Sequence, residues 1–273
     1  MGSKLMTAAE AVALVADGDH VAIQSMGTQA TPMTLVRELI RQGRRELTVT
    51  CVVGGIGVDW LAWKGCMSCF CGPIVFEEYS ETGILVRLAA GARGLPFQIT
   101  RGMIGTDLPA LLPDAVREIE DPFSGERVLA CRALRPDVCL LHAHRADAKG
   151  NVQYRGGTIW PDVQSFPKAA ARTIVSVEEV VSEAEVRRRP HETVIPHFAV
   201  DAVVEARHGC HPTSFFPDYT YDQAFHREWV AACREPERAL ATIDSHCAAA
   251  TQAEYLELIG AAVARTRDWA EQA

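Results

Sequence analysis

Asp17-Gly18-Asp19-His20-Val21-Ala22-Ile23-Gln24-Ser25-Met26-Gly27-Thr28-Gln29-Ala30-Thr31-Pro32 decides how the rest of this chain is read. Asp-Gly-Asp is a tight turn, His20 to Gln24 a short buried strand, and the residues after it a small-residue loop. Thr31 and Pro32 then mark a helix start: an N-cap hydroxyl followed by proline at the first helical position. The loop therefore lies at the carboxyl end of a strand, where open α/β sheets bind their ligands.

Working outward, the same strand-then-helix alternation continues. Thr7 caps a short amphipathic helix over Met6–Val15, and a helix over 32–42 closes at Gly43. Leu47 to Val53 is apolar or β-branched throughout, the pattern of a strand buried on both faces. Gly54-Gly55-Ile56-Gly57 follows, then a helical stretch through Trp60 and Trp63, and a further short strand at 67–71. Helical patterns cover 77–93 and 107–118, with a strand at 98–100 between them. Strands are expected at 127–132, 138–141, 152–154, 173–177 and 198–205, and helices at 167–171, 222–234 and 248–270. Such alternation predicts one α/β domain spanning 1–273, a mostly parallel open sheet with helices on both faces.

Bulk properties narrow the function classes. The chain has 273 residues, 48% hydrophobic and 23% charged, with a formal net charge of -8. That acidity argues against a general nucleic-acid or anionic-membrane surface, each of which wants a basic face. Only Lys4, Lys64, Lys149 and Lys168 of the 27 basic residues are lysine, a skew that fits a GC-rich genome. No signal peptide or membrane-spanning run stands out. Nine cysteines at irregular spacing suit reduced thiols in a cytoplasmic protein.

Several constellations invite chemistry. Cys66, Cys69 and Cys71 lack a fourth zinc ligand at any usual spacing and read as core thiols, so no metal site is expected. His142 and His144 would share one sheet face, and His208 and His211 flank a Gly-Cys turn; neither pair has a carboxylate at metal spacing. Trp60 stands where a dinucleotide fingerprint starting at Gly55 needs its last glycine, so that motif fails. Ser25 is half of a nucleophile elbow, whose first glycine is replaced by Ile23. Glu81, just before an apolar helix, reads either as a solvated residue at a helix start or as a general acid or base, with Arg101 as an anion partner.

In order along the chain stand DGDHVAI with Pro32, Leu95-Pro96-Phe97, the 120–128 turn EDPFSGERV and Leu141-His142-Ala143. Gly150-Asn151-Val152, Gly156-Gly157, Ala169-Ala170, Thr173-Ile174-Val175 and Glu178-Glu179 follow. Ile195-Pro196, Val200 to Val204, Gly209-Cys210-His211-Pro212 and the 219–222 run complete the set. This ordered set resembles the α subunit of family I CoA-transferases, the glutaconate enzyme above all, over nearly the whole chain. The resemblance implies a heterodimer or heterotetramer with a homologous β subunit, acting on an acyl-CoA. Coenzyme A thioester would be substrate, with no permanently bound cofactor. The β subunit would carry a glutamate that forms an acyl anhydride and then a glutamyl-CoA thioester.

Ser25, Met26, Gly27 and Thr28, with Gly54 and Gly55, would form the substrate or oxyanion loop. Two departures stand out. Ser25-Met26-Gly27 replaces the family's Gly-Gly-Phe, and Glu81 replaces a glutamine, with Arg101 added. On the second point the chain is similar to the α subunit of the actinobacterial cholesterol ring-cleaving hydrolase, in which the matching glutamate implies acid/base chemistry. Glu81 and Arg101 are thus the candidate catalytic pair. Three functions stand open: CoA transfer, carbon–carbon hydrolysis of a ring in an acyl-CoA, and non-catalytic support of a partner's site.

Overall fold

The computed structural model describes residues 2–67, 76–156 and 161–267. Its first half contains α1 (Ala8–Val12), β1 (His20–Ile23), α2 (Met33–Arg41), β2 (Thr48–Thr50), α3 (Ile56–Trp63), α4 (Glu81–Ala92), β3 (Phe97–Thr100), α5 (Leu108–Leu111), β4 (Val116–Glu120) and β5 (Arg127–Arg132). The second half adds β6 (Val138–Asp147), β7 (Val152–Gln153), α6 (Pro161–Ala169), β8 (Arg172–Val181), α7 (Glu183–Arg188), β9 (Thr193–Ile195), β10 (Ala202–Glu205), α8 (Gln223–Ala232), α9 (Pro236–Cys247), α10 (Gln252–Leu258) and α11 (Gly260–Arg267).

The main sheet runs β10-β8-β6-β1-β2, every neighbour parallel. β7 joins β6 antiparallel and β9 joins β7 in the same sense. β6 is buried along its whole length, as the middle strand of a sheet covered on both faces must be. Period-two alternation divides its side chains between two cores. Val138 and Leu140 join Val21, Ile23, Ile174 and Val204 on one face, against α2, α3, α8 and α9. Cys139, Leu141 and Ala143 join Ala22, Val175 and Val203 on the other, against Leu88 of α4 and Phe166 of α6. The expected parallel sheet with helices on both faces is the fold.

Four local readings are corrected. β2 is short and its side chains are half-exposed, with β1 its one paired strand among the described residues. The residues at 77–80 lie before the helix, and α4 starts at Glu81 with Ser80 Oγ accepting from Gly83 N at 3.0 Å. The stretch 107–118 is only partly helical: α5 gives way to β4, which pairs with β5 in a separate antiparallel sheet, β3-β5-β4. Thr31 does not cap α2, whose N-cap is Pro32. Its hydroxyl turns inward and donates to Ser25 Oγ at 3.2 Å. Of the expected strand at 67–71, Met67 bridges Leu47, and residues 68–71 lie outside those described.

Candidate functional site

The corner at the carboxyl ends of β1 and β2 is built from backbone. Met26 and Gln29 exchange backbone hydrogen bonds of 3.1 and 3.3 Å, closing a tight loop in which Gly27 takes φ +66°. That positive φ costs glycine little and a β-branched residue much. Val53 N donates to Ser25 O at 3.3 Å, and Met26 bridges Val53, so the β1 and β2 loops continue the sheet. A Cβ added at Gly55 would stand 2.2 Å from Gly27 O. Gly55 is therefore required by close approach of two backbones, and Gly54 is not, with Cys51 Sγ its nearest neighbour at 3.9 Å.

The loop is also clamped from the far end of the chain. Ala30 N donates to Ser214 O and Ser214 N to Thr28 O, both at 2.8 Å. The structure thus brings Ser25–Thr28 together with Gly54 and Gly55. Ser25 itself is fully buried, its Oγ accepting from Thr31, so it is a joint of the corner and not an exposed nucleophile. Thr28 and Gln29 are the exposed residues of the loop, with Met26 and Gly27 half-buried.

Glu81 is exposed in the first turn of α4. Arg101 is 68% exposed and pairs with Glu126 at 3.0 Å, so its described ionic partner is Glu126. The two segments nevertheless touch: a Cβ at Gly102 would lie 3.1 Å from Thr82 Cβ, and one at Gly83 would lie 2.9 Å from Met103 Sδ.

Beneath the corner lies a buried polar network that sequence reasoning misses. His142 Nε2 meets Glu178 Oε1 at 2.8 Å, and its Nδ1 meets Ser176 Oγ at 2.8 Å. Tyr219 OH donates to Glu178 Oε1 at 2.8 Å, His208 N to Oε2 at 2.8 Å, and Gly209 N to Oε1 at 3.3 Å. The carboxylate absent from the sequence neighbourhood of His142 comes from the adjacent strand β8. Burial alone would raise the Glu178 pKa. The hydrogen bond and charge of His142, with the His208 N–H and Tyr219 hydroxyl, outweigh it and hold the carboxyl down at about 2. His208 and His211 are buried as well; His211 Nδ1 meets Tyr255 OH at 2.9 Å and Nε2 meets Asp222 Oδ2 at 3.3 Å.

His144 shares its sheet face with His142, both rings packing on Phe215. Its Nε2 donates to Phe216 O at 2.9 Å and its Nδ1 accepts from Arg155 N at 3.1 Å. Burial pushes its pKa down to about 3. A depressed folded pKa gives stability that is present above the ordinary value of 6.5 and lost as pH falls through the folded value. The urea midpoint should therefore fall steadily from about pH 6.5 to pH 3, with Glu178 adding to the loss below about pH 4.5. In His144→Leu the drop between pH 6.5 and 5 should flatten; a slope equal to that of the parent would show that His144 carries none of it.

Among the described residues no group of three or more His, Cys, Asp or Glu is placed to hold a metal. Cys66 is buried, its thiol pushed up to about 11 by that burial; Cys69 and Cys71 lie outside the described residues. No described helix is long and apolar enough to cross a membrane.

The glycine-locked loop pair stands at the carboxyl edge of a parallel sheet, where open α/β sheets bind their ligands, and comparison with known proteins gives the chain a class. Residues 5–69 and 67–206 match coenzyme A transferase, and the chain belongs to that family. The A-type subunit of the glutaconate CoA-transferase from Acidaminococcus fermentans is 33% identical over 82% of this chain and 81% of its own length. The crystal structure of that organism's enzyme superposes with a TM-score of 0.87, covering 96% of this chain and 94% of that one at 31% identity. The cholesterol ring-cleaving hydrolase IpdA subunit of Rhodococcus jostii is 30% identical over 84% of this chain and 86% of its own. An uncharacterized protein of Archaeoglobus fulgidus is 32% identical over 95% of this chain, which spans 63% of that relative's length.

Proposed function

We propose that this chain is the α subunit of a cytoplasmic, heteromeric CoA-transferase-like enzyme, one domain over 1–273, that acts on an acyl-CoA. A homologous β subunit, in a heterodimer or heterotetramer, supplies the glutamate that takes up the acyl group and then CoA. The single observation that carries this reading is the loop Met26–Gln29, presented at the carboxyl edge of the sheet and held from three sides. With the Met26 and Gln29 N–H groups bonded to each other's carbonyls, it is the Gly27 and Thr28 N–H groups that would stabilise a negatively charged oxygen on a thioester approached from a second chain. Co-purification with a homologous β-type chain, followed by CoA exchange between a thioester and a free acid, tests the reading. Mass spectrometry should find the CoA adduct on the partner; an adduct on this chain, or no exchange, would reject it.

The exposure of Glu81 at a helix start beside the Arg101 turn favours a second reading, hydrolysis of a carbon–carbon bond with Glu81 as acid or base. Glu81→Gln in the complex separates the two. Under CoA transfer, kcat should stay within about threefold of the parent. Under hydrolysis it should drop about 10²- to 10⁴-fold with KM little changed. A complex that shows neither reaction while this chain is needed for the partner's activity would mark a non-catalytic supporting subunit.

A further inference from the structure

Arg37, in the middle of α2, is only 5% exposed. Its guanidinium lies 3.4 Å from the centroid of the Tyr255 ring. Nη1 donates to His211 O at 3.3 Å, and Nη2 to Thr34 Oγ1 at 3.1 Å and Gln252 Oε1 at 3.0 Å. All three acceptors are neutral. A buried cation ordinarily has a carboxylate partner, as Arg145 of β6 has in Glu192. Burial pushes the Arg37 pKa down, and no carboxylate is among the groups that pull it back up. The guanidinium is charged all the same, and its Nε–H meets no acceptor among the described residues.

Arg37 borders a cavity of about 310 Å³ lined by residues of α1, α2, β10 and α10. That volume is at the lower end of small-ligand pockets, roughly 300–1,000 Å³. Its apolar wall includes Met6, Ala8, Val204 and Ala249. Two carboxylates limit what can enter. Glu38 is spent on Arg41, whose Nε meets its Oε2 at 2.8 Å, so that pair adds no net charge. Glu205 is exposed at the rim, where water and salt screen it. One unmatched positive charge inside suits a singly charged anion, whereas a dianion would also face Glu38 and Glu205.

We infer that this cavity is a binding site for a small monocarboxylate. Its carboxylate accepts from Arg37, and its short hydrocarbon tail lies on the wall of Met6, Ala8, Val204 and Ala249. The site is separate from the acyl-CoA corner and stands whether or not that corner has the role proposed above.

Calorimetry on the full chain with butyrate, butyramide, succinate and sulfate at pH 7.5 tests it. Butyrate should bind roughly tenfold tighter than butyramide, the value of one charge-assisted hydrogen bond. Succinate and sulfate, both dianions, should bind more weakly than butyrate. Ala250→Phe, at the exposed mouth of the cavity, should abolish butyrate binding while leaving the Arg37 hydrogen bonds in place. In Arg37→Gln the preference for butyrate over butyramide should disappear; if that variant fails to fold, Ala250→Phe carries the test.

Because the proposed reaction also takes a free acid, the location is read directly. The side-chain amide resonance of Gln252, which touches Arg37, should shift on titration with butyrate. Gly55→Ala, which distorts the corner, should leave the butyrate affinity within about twofold of the parent. Butyrate binding lost in Gly55→Ala but kept in Ala250→Phe would place the acid at the corner and overturn the inference. Equal affinity for butyrate and butyramide, tighter binding of either dianion, or no binding at all would overturn it as well.

Discussion

Glu178→Leu should lower the unfolding free energy by about 3 to 5 kcal/mol, the range seen when one partner of a buried charged network is removed. The loss follows from what the carboxylate holds: His142 Nε2, Tyr219 OH and the backbone N–H groups of His208 and Gly209. Leucine fills the volume but satisfies none of these four donors, each of which is then buried without an acceptor. Urea unfolding at pH 7 measures it. Tyr219→Phe provides the scale, since it deletes one donor together with its need and should cost about 1 kcal/mol. If Glu178→Leu costs no more than Tyr219→Phe, the network is not the structural centre described above.

Gly55→Ala should have the largest effect on turnover of any single methyl addition in the corner. The new Cβ would meet Gly27 O at 2.2 Å and Gly27 C at 3.0 Å, and backbone atoms have no rotamer by which to yield. The β1 and β2 loops must separate, at a cost of about 2 kcal/mol in stability. Displacement of the loop amides by about 1 Å should reduce kcat about a hundredfold in the complex with the partner chain. Gly54→Ala, whose Cβ would lie 3.9 Å from Cys51 Sγ, should unfold within about 0.5 kcal/mol of the parent. A Gly55→Ala complex with parental kcat would show that the loops do not have to meet for the reaction.

The corner itself is legible in the sequence because its signals are local. A turn of Asp-Gly-Asp, an apolar strand and a proline at a helix start each act over a few residues. Local patterning misplaces the Thr31 hydroxyl because two acceptors are in reach, and the buried Ser25 Oγ wins over the helix terminus. The helical pattern at 107–118 loses to β5, whose ladder captures Val116–Glu120, a tertiary preference that no local pattern records. The helix Pro236–Cys247 escapes the periodicity, although Pro236 at its first position marks a start. The Glu178 site is illegible for a different reason. His142, Glu178, His208 and Tyr219 look like unrelated polar residues until β6 and β8 pair His142 with Ser176. Arg37 reads in sequence simply as a charge in a helix, because an unmatched buried cation exists only once its neighbours are in place.

The clamp between Thr28 and Ser214 spans 186 residues of sequence. Such a contact is non-local, so its loop-closure entropy is met before the contact rewards it. The corner therefore cannot take its final shape on a nascent chain until the segment around Ser214 has left the ribosome. A partner that docks on that corner would receive only subunits built past Ser214, so assembly itself would act as a test of synthesis to that point.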